Sequence, residues 1–130
     1  MAYLRKIQTF SDHRGSLTVL DSIVPFKIKR LFYIYAVHEK EKGGHRHHET
    51  QQAVICLAGS CKITNNDHKT TEIFELNSAD QCLFLQPEDW HVMNNFSEDA
   101  ILLVLASTAF DPKDYIYEPY DTNSIIKSKR

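Results

Sequence analysis

The sequence predicts an all-β protein whose short antiparallel strands form a jelly-roll sandwich or barrel. Segments rich in β-branched and aromatic residues recur at spacings of about ten residues, with turn-forming residues between them. Hardly any segment places apolar residues at helical spacing over three turns. The 130 residues are enough for one core, and no repeat or Pro/Gly-rich linker divides them, so residues 1–130 are expected to form a single domain.

Turn signals divide the first part of the chain into three expected strands. A short apolar start, Leu4–Phe10, precedes the turn-like segment Ser11–Ser16. Leu17–Asp21 alternates briefly between apolar and polar residues, and Pro25 then interrupts the pattern. Ile28–Val37 is rich in aromatic and β-branched residues, which favours a strand. A charged loop over residues 38–44 is expected to follow.

The second part of the chain predicts six more strands. These are Gln52–Leu57, Cys61–Thr64, Glu72–Leu76, Gln81–Gln86, His91–Phe96 and Ile101–Ser107. Asn65–His68 is a hairpin tip, because Asn and Asp tolerate positive φ. Ile101–Ser107 is the most apolar of the strands and is therefore expected to be central. The tail from Phe110 onward is aromatic and acidic, and we expect it to hold one short helical turn and to serve packing alone.

Composition excludes several classes of partner. A formal net charge of −2 gives no electrostatic reason to bind nucleic acid or an anionic membrane. No apolar run reaches the roughly 18 residues of a membrane span, and the N-terminus lacks the apolar core of a signal peptide. The three cysteines are an odd number without CxxC spacing, which is typical of buried thiols in a reducing compartment. We expect a cytoplasmic protein.

The segment Gly43–His48 concentrates the chemistry of the chain. His45 and His47 are two positions apart, so in an extended segment both imidazoles point to the same side. Two imidazoles on one face of a β-surface can bind a metal or move protons. The residues of this segment leave both functions open.

A second polar cluster follows the predicted corner Pro87–Trp90. His91 opens a strand, and Asn95 lies four residues later, on the same face of that strand if no bulge intervenes. Trp90 is a candidate wall of a ligand site beside His91, with packing in the core as the alternative.

Together the two clusters resemble the two-motif signature of the cupin superfamily of small jelly rolls. The first motif there contains a histidine pair, a glutamate and a glycine; this chain has His45, His47, Gln52 and Gly59. Gln52 therefore stands where a metal-binding cupin has its carboxylate ligand. Three histidines can still hold zinc, so a metal site at His45, His47 and His91 stays open, although metal-free acid–base chemistry without a cofactor is favoured.

More specifically, the chain resembles the dTDP-4-keto-6-deoxyglucose 3,4-ketoisomerases, a cupin branch also labelled WxcM-like. The resemblance covers roughly Asp12 to Tyr120. It rests on the histidine segment with Gln52 and on further matching segments: Val54–Ser60, Trp90–His91, Asn95–Asp99, Leu102–Ser107 and Asp114–Ile116.

The resemblance implies a metal-independent isomerase that moves protons through an enediol and converts the 4-keto sugar of the nucleotide into the 3-keto sugar. It implies that His47 is the carbon base, that His45 is its acid–base partner, and that Tyr33 relays a proton. It also implies a route to the 3-amino sugars of surface polysaccharide. Six residues are expected to contact the substrate: Arg14, Lys42, Gln52, Trp90, His91 and Asn95.

Three residues, Lys42, Arg46 and His48, depart from the family pattern Arg-Gly-x-His-Ala-His-Lys. Lys42 keeps the positive charge of the arginine but lacks its bidentate fork. Arg46 replaces the alanine between the histidines and is expected to point away from both imidazoles. The resemblance also implies a homodimer that exchanges its N-terminal strands. A non-catalytic sugar-nucleotide-binding protein stays an alternative, and the configuration at C4 of the product is left open.

Overall fold

The computed structural model of the chain describes residues 1–38 and 41–120, together with the backbone of residues 125–129. Nearly all of its regular structure is strand, which confirms the all-β prediction. The strands are β1 (Tyr3–Lys6), β2 (Thr9–Asp12), β3 (Gly15–Thr18), β4 (Arg30–Tyr35), β5 (Glu41–His47), β6 (Gln52–Ala58), β7 (Cys61–Asn66), β8 (Thr70–Leu76), β9 (Gln81–Leu85), β10 (Trp90–Asn94), β11 (Ile101–Ala106), β12 (Tyr115–Ile116) and β13 (Ile125–Lys129).

Two larger sheets and one hairpin make up the described part of the chain. The five-stranded sheet has the order β1-β9-β6-β11-β4, and the six-stranded sheet has the order β12-β5-β10-β7-β8-β13. β2 and β3 form a separate hairpin. The larger sheets pack face to face as a cupin-type jelly roll. Their strand pairs are antiparallel except for β8 with β13. β11 has a neighbour along each edge, as expected for the most apolar strand.

Strand β6 shows why its sequence is continuously apolar. Val54 and Cys56 face the other sheet and belong to the core between the sheets. Ala53 and Ile55 face outward, but they are buried as well, because the segment 20–26 covers this side of the sheet. A strand with both faces buried reads as an apolar run instead of an alternation.

The turn between β6 and β7 requires Gly59. Its φ is +68°, and a Cβ added there would lie 2.2 Å from Oγ of Ser97 and 2.6 Å from Oδ1 of Asp99. Ser97 accepts a hydrogen bond from the Ser60 amide at 2.9 Å, so it cannot move away without breaking the turn. The glycine of the first motif is therefore a structural requirement of this turn.

Two parts of the chain differ from the prediction. The N-terminal segment forms two strands, β1 and β2, which belong to different sheets. Residues 41–44 were expected in a loop, but they begin β5; residues 39 and 40 of that loop lie outside the described residues. Gly43 and Gly44 have φ of +87° and +83°. Two glycines in a row suggest a loop in the sequence, but in the structure they accompany a bulge between β5 and β10.

The helical content of the tail agrees with the prediction. A single 3-10 turn, Pro112–Asp114, occurs in the described part of the tail, and Asp111 caps it by accepting a hydrogen bond from the Lys113 amide. The described residues contain no helix with the length and apolarity that a membrane span needs.

Candidate active site

Three imidazoles meet at one end of the jelly roll. β5 and β10 pair so that His45 lies opposite His91, and His47 follows two residues later. The ring centroid of His45 is 5.0 Å from that of His47 and 4.9 Å from that of His91, with the rings edge to face. His47 and His91 are 6.3 Å apart. The two histidine motifs of the sequence therefore build one cluster.

A carboxylate orients His47. Nδ1 of His47 donates a hydrogen bond to Oδ2 of Asp114 at 2.8 Å. Asp114 is fixed in turn by the Glu49 amide at 2.8 Å and by the hydroxyl of Thr50. Burial raises the pKa of Asp114, but hydrogen bonds from Thr50, Glu49 and His47 outweigh burial and lower it overall. Because the carboxylate only accepts, Nδ1 carries the proton and Nε2 keeps its lone pair.

His91 is held in the same tautomer by the backbone. Its Nδ1 donates to the carbonyl oxygen of Asp89 at 3.1 Å, which leaves Nε2 as an acceptor. Asp89 is fully buried and accepts a hydrogen bond from Nδ2 of Asn65 at 3.0 Å. Asn65 lies opposite His91 in the pairing of β7 with β10. Asn65 and Asp89 thus form a buried polar layer next to the histidine cluster.

Four buried side-chain atoms have no hydrogen-bond partner among the residues that the structure describes. They are Nε2 of His47, Nε2 of His91, Oε1 of Gln52 and Oδ1 of Asn65. All four residues lie near the same end of the jelly roll, where β5 and β7 end and β6 and β10 begin. Leaving a buried polar atom unpaired costs on the order of 1–3 kcal/mol, so such a group is typical of a site that receives a polar ligand.

The histidines of the cluster are neutral at neutral pH. Burial, followed by the nearby His47, lowers the pKa of His45 to about 4. Burial and the neighbouring His45 lower the pKa of His91 to about 3. Burial also lowers the pKa of His47, against the opposing effect of Asp114 and with the help of the positive charge of Arg30. Neutral imidazoles can accept protons, which is what proton abstraction requires.

Tyr115 forms a wall over two of the histidines. β12 pairs with β5 at the position of His47, and the Tyr115 ring lies 4.8 Å from the ring of His45 and 4.7 Å from that of His47. Its hydroxyl accepts a hydrogen bond from Nη1 of Arg30 at 3.0 Å. The guanidinium of Arg30 stacks over the rings of Phe32 and Phe110 at 4.4 and 4.9 Å. A fixed cation and a fixed hydroxyl therefore border the cluster.

Asp114, Tyr115 and Arg30 are site residues that the sequence reasoning missed. Asp114 and Tyr115 were noticed only as part of a matching segment, and their tail was expected to serve packing alone. That expectation needs correction, because the tail carries the carboxylate bound to His47. The matching segment Asp114–Ile116 was the signal that could have identified Asp114 and Tyr115.

Tyr33 does not lie where its predicted role places it. Its neighbours Phe32 and Ile34 pack against the core between the sheets. Successive residues of a strand face opposite sides, so Tyr33 lies on the outer face of the five-stranded sheet, where it is 60% exposed. The structure does not bring Tyr33 to the histidines of its own chain.

Trp90 and Asn95 also lie away from the cluster. Strand alternation puts Trp90 on the face of β10 opposite to His91. Asn95 lies just beyond the end of β10, is exposed, and has a φ of +52°, a left-handed conformation that asparagine tolerates. The expectation that Asn95 shares a face with His91 fails because the strand ends before it.

The two predicted cations lie at different places on the surface. Arg14 is at the tip of the β2–β3 hairpin, where its Nη2 is 2.6 Å from Oδ2 of Asp12. None of its described contacts involves the histidine cluster. Lys42 is exposed at the start of β5, beside the segment 34–38.

The same geometry bears on the metal alternative. Among the described residues, no group of three or more His, Cys, Asp or Glu side chains is arranged to hold a metal ion. Gln52 supplies an amide where a metal-binding cupin has its carboxylate, so the donor set contains no anion.

Comparisons with known proteins show the family of the chain. The family described as "FdtA: WxcM-like, C-terminal" matches residues 2–127. The TDP-4-oxo-6-deoxy-alpha-D-glucose-3,4-oxoisomerase of Aneurinibacillus thermoaerophilus is 38% identical over 113 residues, which cover 85% of this chain and 81% of that relative.

Two crystal structures are similar over most of their length. A 3,4-ketoisomerase of Helicobacter canadensis is 37% identical, with a TM-score of 0.86 over 90% of each chain. QdtA, a sugar 3,4-ketoisomerase of Thermoanaerobacterium thermosaccharolyticum in complex with TDP, is 38% identical, with a TM-score of 0.85 over 90% of this chain and 88% of that one. By its sequence and its fold, the chain belongs to the FdtA (WxcM-like) family.

Proposed function

We propose that the chain is a metal-independent isomerase that converts dTDP-4-keto-6-deoxyglucose into the 3-keto-6-deoxyhexose. One observation carries the proposal: His47, oriented by Asp114, presents an unpartnered Nε2 at the end of the jelly roll. An imidazole so oriented is the arrangement of a general base. Family membership supplies the substrate class, since the relatives include a TDP-4-oxo-6-deoxyglucose 3,4-oxoisomerase.

The reaction moves two hydrogens without a net change in redox state. Nε2 of His47 removes the proton from C3, and the electrons of the C3–H bond form a C3=C4 double bond while the C4 oxygen takes a proton. In the resulting enediol the O3–H bond then breaks, C3=O forms, and C4 takes a proton. His45, 5.0 Å from His47 between ring centroids, is the acid–base partner that handles the oxygen protons.

The remaining polar atoms hold the substrate in place. The unpaired acceptors of Gln52 and His91 suit sugar hydroxyls, which donate hydrogen bonds. Arg14 and Lys42 remain proposed contacts of the diphosphate, and Trp90 and Asn95 remain proposed substrate contacts from outside the histidine cluster. Arg14 lies on a separate hairpin, and we propose that it reaches the diphosphate from the hairpin of a second copy.

A homodimer fits the exposed apolar surface. The β2–β3 hairpin pairs with no other described strand, yet Phe10 and Leu17 face each other on it and are 55% and 60% exposed. A lone two-stranded hairpin is marginal in water. We propose that a second copy covers the hairpin. We also propose that the two copies exchange their N-terminal strands, so that the partner's β1 pairs with the edge of β9 that β1 of the same chain would otherwise occupy. Light scattering should then give twice 15.1 kDa, and Phe10→Asp with Leu17→Asp should lower this value.

The place of the reaction is also a proposal. We assign residues 1–130 to one catalytic domain acting in the cytoplasm, on the route to 3-amino sugars of surface polysaccharide. All three cysteines are free and buried, which suits a reducing compartment.

Proton NMR of the protein with dTDP-4-keto-6-deoxyglucose tests the function. The proposal predicts loss of the C3 proton signal of the substrate and growth of a 3-keto product. Unchanged substrate despite measurable binding would instead identify a non-catalytic sugar-nucleotide-binding protein.

Elemental analysis tests the metal alternative. The proposal predicts substoichiometric metal and full activity in the presence of a chelator. Stoichiometric iron, manganese or zinc, with activity lost to the chelator, would identify a metalloenzyme at His45, His47 and His91.

A further inference from the structure

Arg46, the residue between the paired histidines, fastens the C-terminal part of the described chain. Its side chain lies on the other side of β5 from His45 and His47 and contacts the segment 115–120, which we call the C-terminal strap. Nε of Arg46 donates to the carbonyl oxygen of Glu118 at 3.2 Å, and Nη1 donates to the hydroxyl of Tyr120 at 3.3 Å. The guanidinium carbon also lies 4.2 Å from the centroid of the Tyr120 ring.

Tyr120 is fixed by two further contacts. Its hydroxyl donates to the carbonyl oxygen of Glu88 at 2.8 Å. The ring of His68 stacks on it at 4.3 Å with an interplanar angle of 4°. The end of the strap is therefore attached to β5, to the β7–β8 turn and to the corner before β10.

The beginning of the strap enters the active site. Tyr115 packs on His45 and His47, and the ladder with β5 ends one residue later at Ile116. Tyr117 follows, 67% exposed, with its ring 6.0 Å from that of Tyr115 and 6.2 Å from that of His45. Along the chain, Tyr117 thus follows the ladder with β5 and precedes Tyr120, which Arg46 contacts.

We propose that Arg46 is a positioning residue that holds Tyr117 as a wall of the substrate pocket through its contacts with Glu118 and Tyr120. The inference rests on the proposed function, since it assigns the wall to that site. Without Arg46 the strap beyond Ile116 loses two hydrogen bonds and a cation–π contact. Substrate binding then has to order the wall, which costs affinity.

The chemical step is expected to survive the loss of Arg46. Asp114, which orients His47, is held by the Glu49 amide and by Thr50, and neither contact involves Arg46. Once substrate is bound, the base is therefore in place. The effect of removing Arg46 falls on KM and leaves kcat largely unchanged.

The test compares three variants of the full chain with the wild type. Arg46→Ala should raise KM about tenfold and change kcat less than about twofold. Arg46→Lys should recover part of the affinity, because a lysine keeps the cation over Tyr120 but lacks the fork that donates twice. Arg5→Ala is the matched control, since Arg5 lies 5.1 Å over the ring of Tyr3 on β1. It should leave KM unchanged.

Hydrogen–deuterium exchange without substrate gives a readout that does not need activity. Arg46→Ala should speed exchange in a peptide covering 115–120 and leave one covering 52–58 unchanged. Faster strap exchange with unchanged KM would overturn the positioning role, and unchanged strap exchange would overturn the contact itself. An inactive wild type would count against the proposed function alone, because the exchange result stands without it.

Discussion

Asp114 accepts a hydrogen bond from Nδ1 of His47 at 2.8 Å, although the two residues are 67 positions apart in the sequence. Thr50 and the Glu49 amide bind the same carboxylate, so its position does not depend on the histidine. The contact fixes which nitrogen of His47 carries a proton. With the proton on Nδ1, Nε2 of His47 is the nitrogen that can act as a base.

Replacing Asp114 by asparagine should therefore reduce kcat by about 100-fold or more, because an amide NH₂ opposite Nδ1 favours the tautomer whose Nε2 is protonated. Initial rates followed by NMR measure the effect. Asp111→Asn is the matched control, since Asp111 caps the same 3-10 turn without touching His47. Equal losses in the two variants would contradict the role of Asp114.

Tyr115 should contribute more to turnover than Tyr33. Its hydroxyl is held by Arg30 beside two histidines, so it can carry a proton, whereas Tyr33 lies on the outer face of the other sheet. Tyr115→Phe is expected to lower kcat about tenfold or more, and Tyr33→Phe to change it less than about twofold. Steady-state kinetics of both variants decide the matter. A loss confined to Tyr33→Phe would restore the sequence-based assignment.

The buried imidazoles should make the fold sensitive to acid. The pKa of His91 is about 3 in the folded chain, against 6.5 for the unperturbed group. Between these values the unfolded chain binds more protons, so stability falls as pH decreases below 6.5. Tm measured from pH 7 to pH 5 should decrease toward acid.

A His91→Gln variant should show a shallower decrease of Tm with falling pH, whatever its Tm at pH 7. His13→Gln is the control, because His13 is exposed on the hairpin tip, and it should keep the wild-type slope. A wild-type slope in His91→Gln would show that His91 does not carry the effect.

The sequence was sufficient for the fold class and for the histidine cluster. Strands such as β6 and β11 were recognisable because their apolar and β-branched residues follow strand propensity. His45 and His47 could be placed on one face because strand alternation is a local rule. The pairing of β5 with β10 then brings His91 to them.

The rest of the site depends on contacts that local patterns do not encode. Asp114 reaches His47 only because β12 pairs with the edge of β5, a two-residue ladder too short to leave a periodic signal. Tyr33 and Trp90 were assigned from spacing and adjacency, yet each lies on the opposite face of its strand from the site. Which face of a strand points toward the core depends on how the two sheets pack, and the family spacing alone did not show this.

Deuterium wash-in at C3 tests the central assignment most directly. Wild-type protein in heavy water should exchange the C3 proton of dTDP-4-keto-6-deoxyglucose, and His45→Asn should retain this exchange while forming product more slowly. His47→Asn should abolish the exchange, because no other described base is oriented by Asp114. Full C3 exchange in His47→Asn would contradict the assignment of His47 as the carbon base.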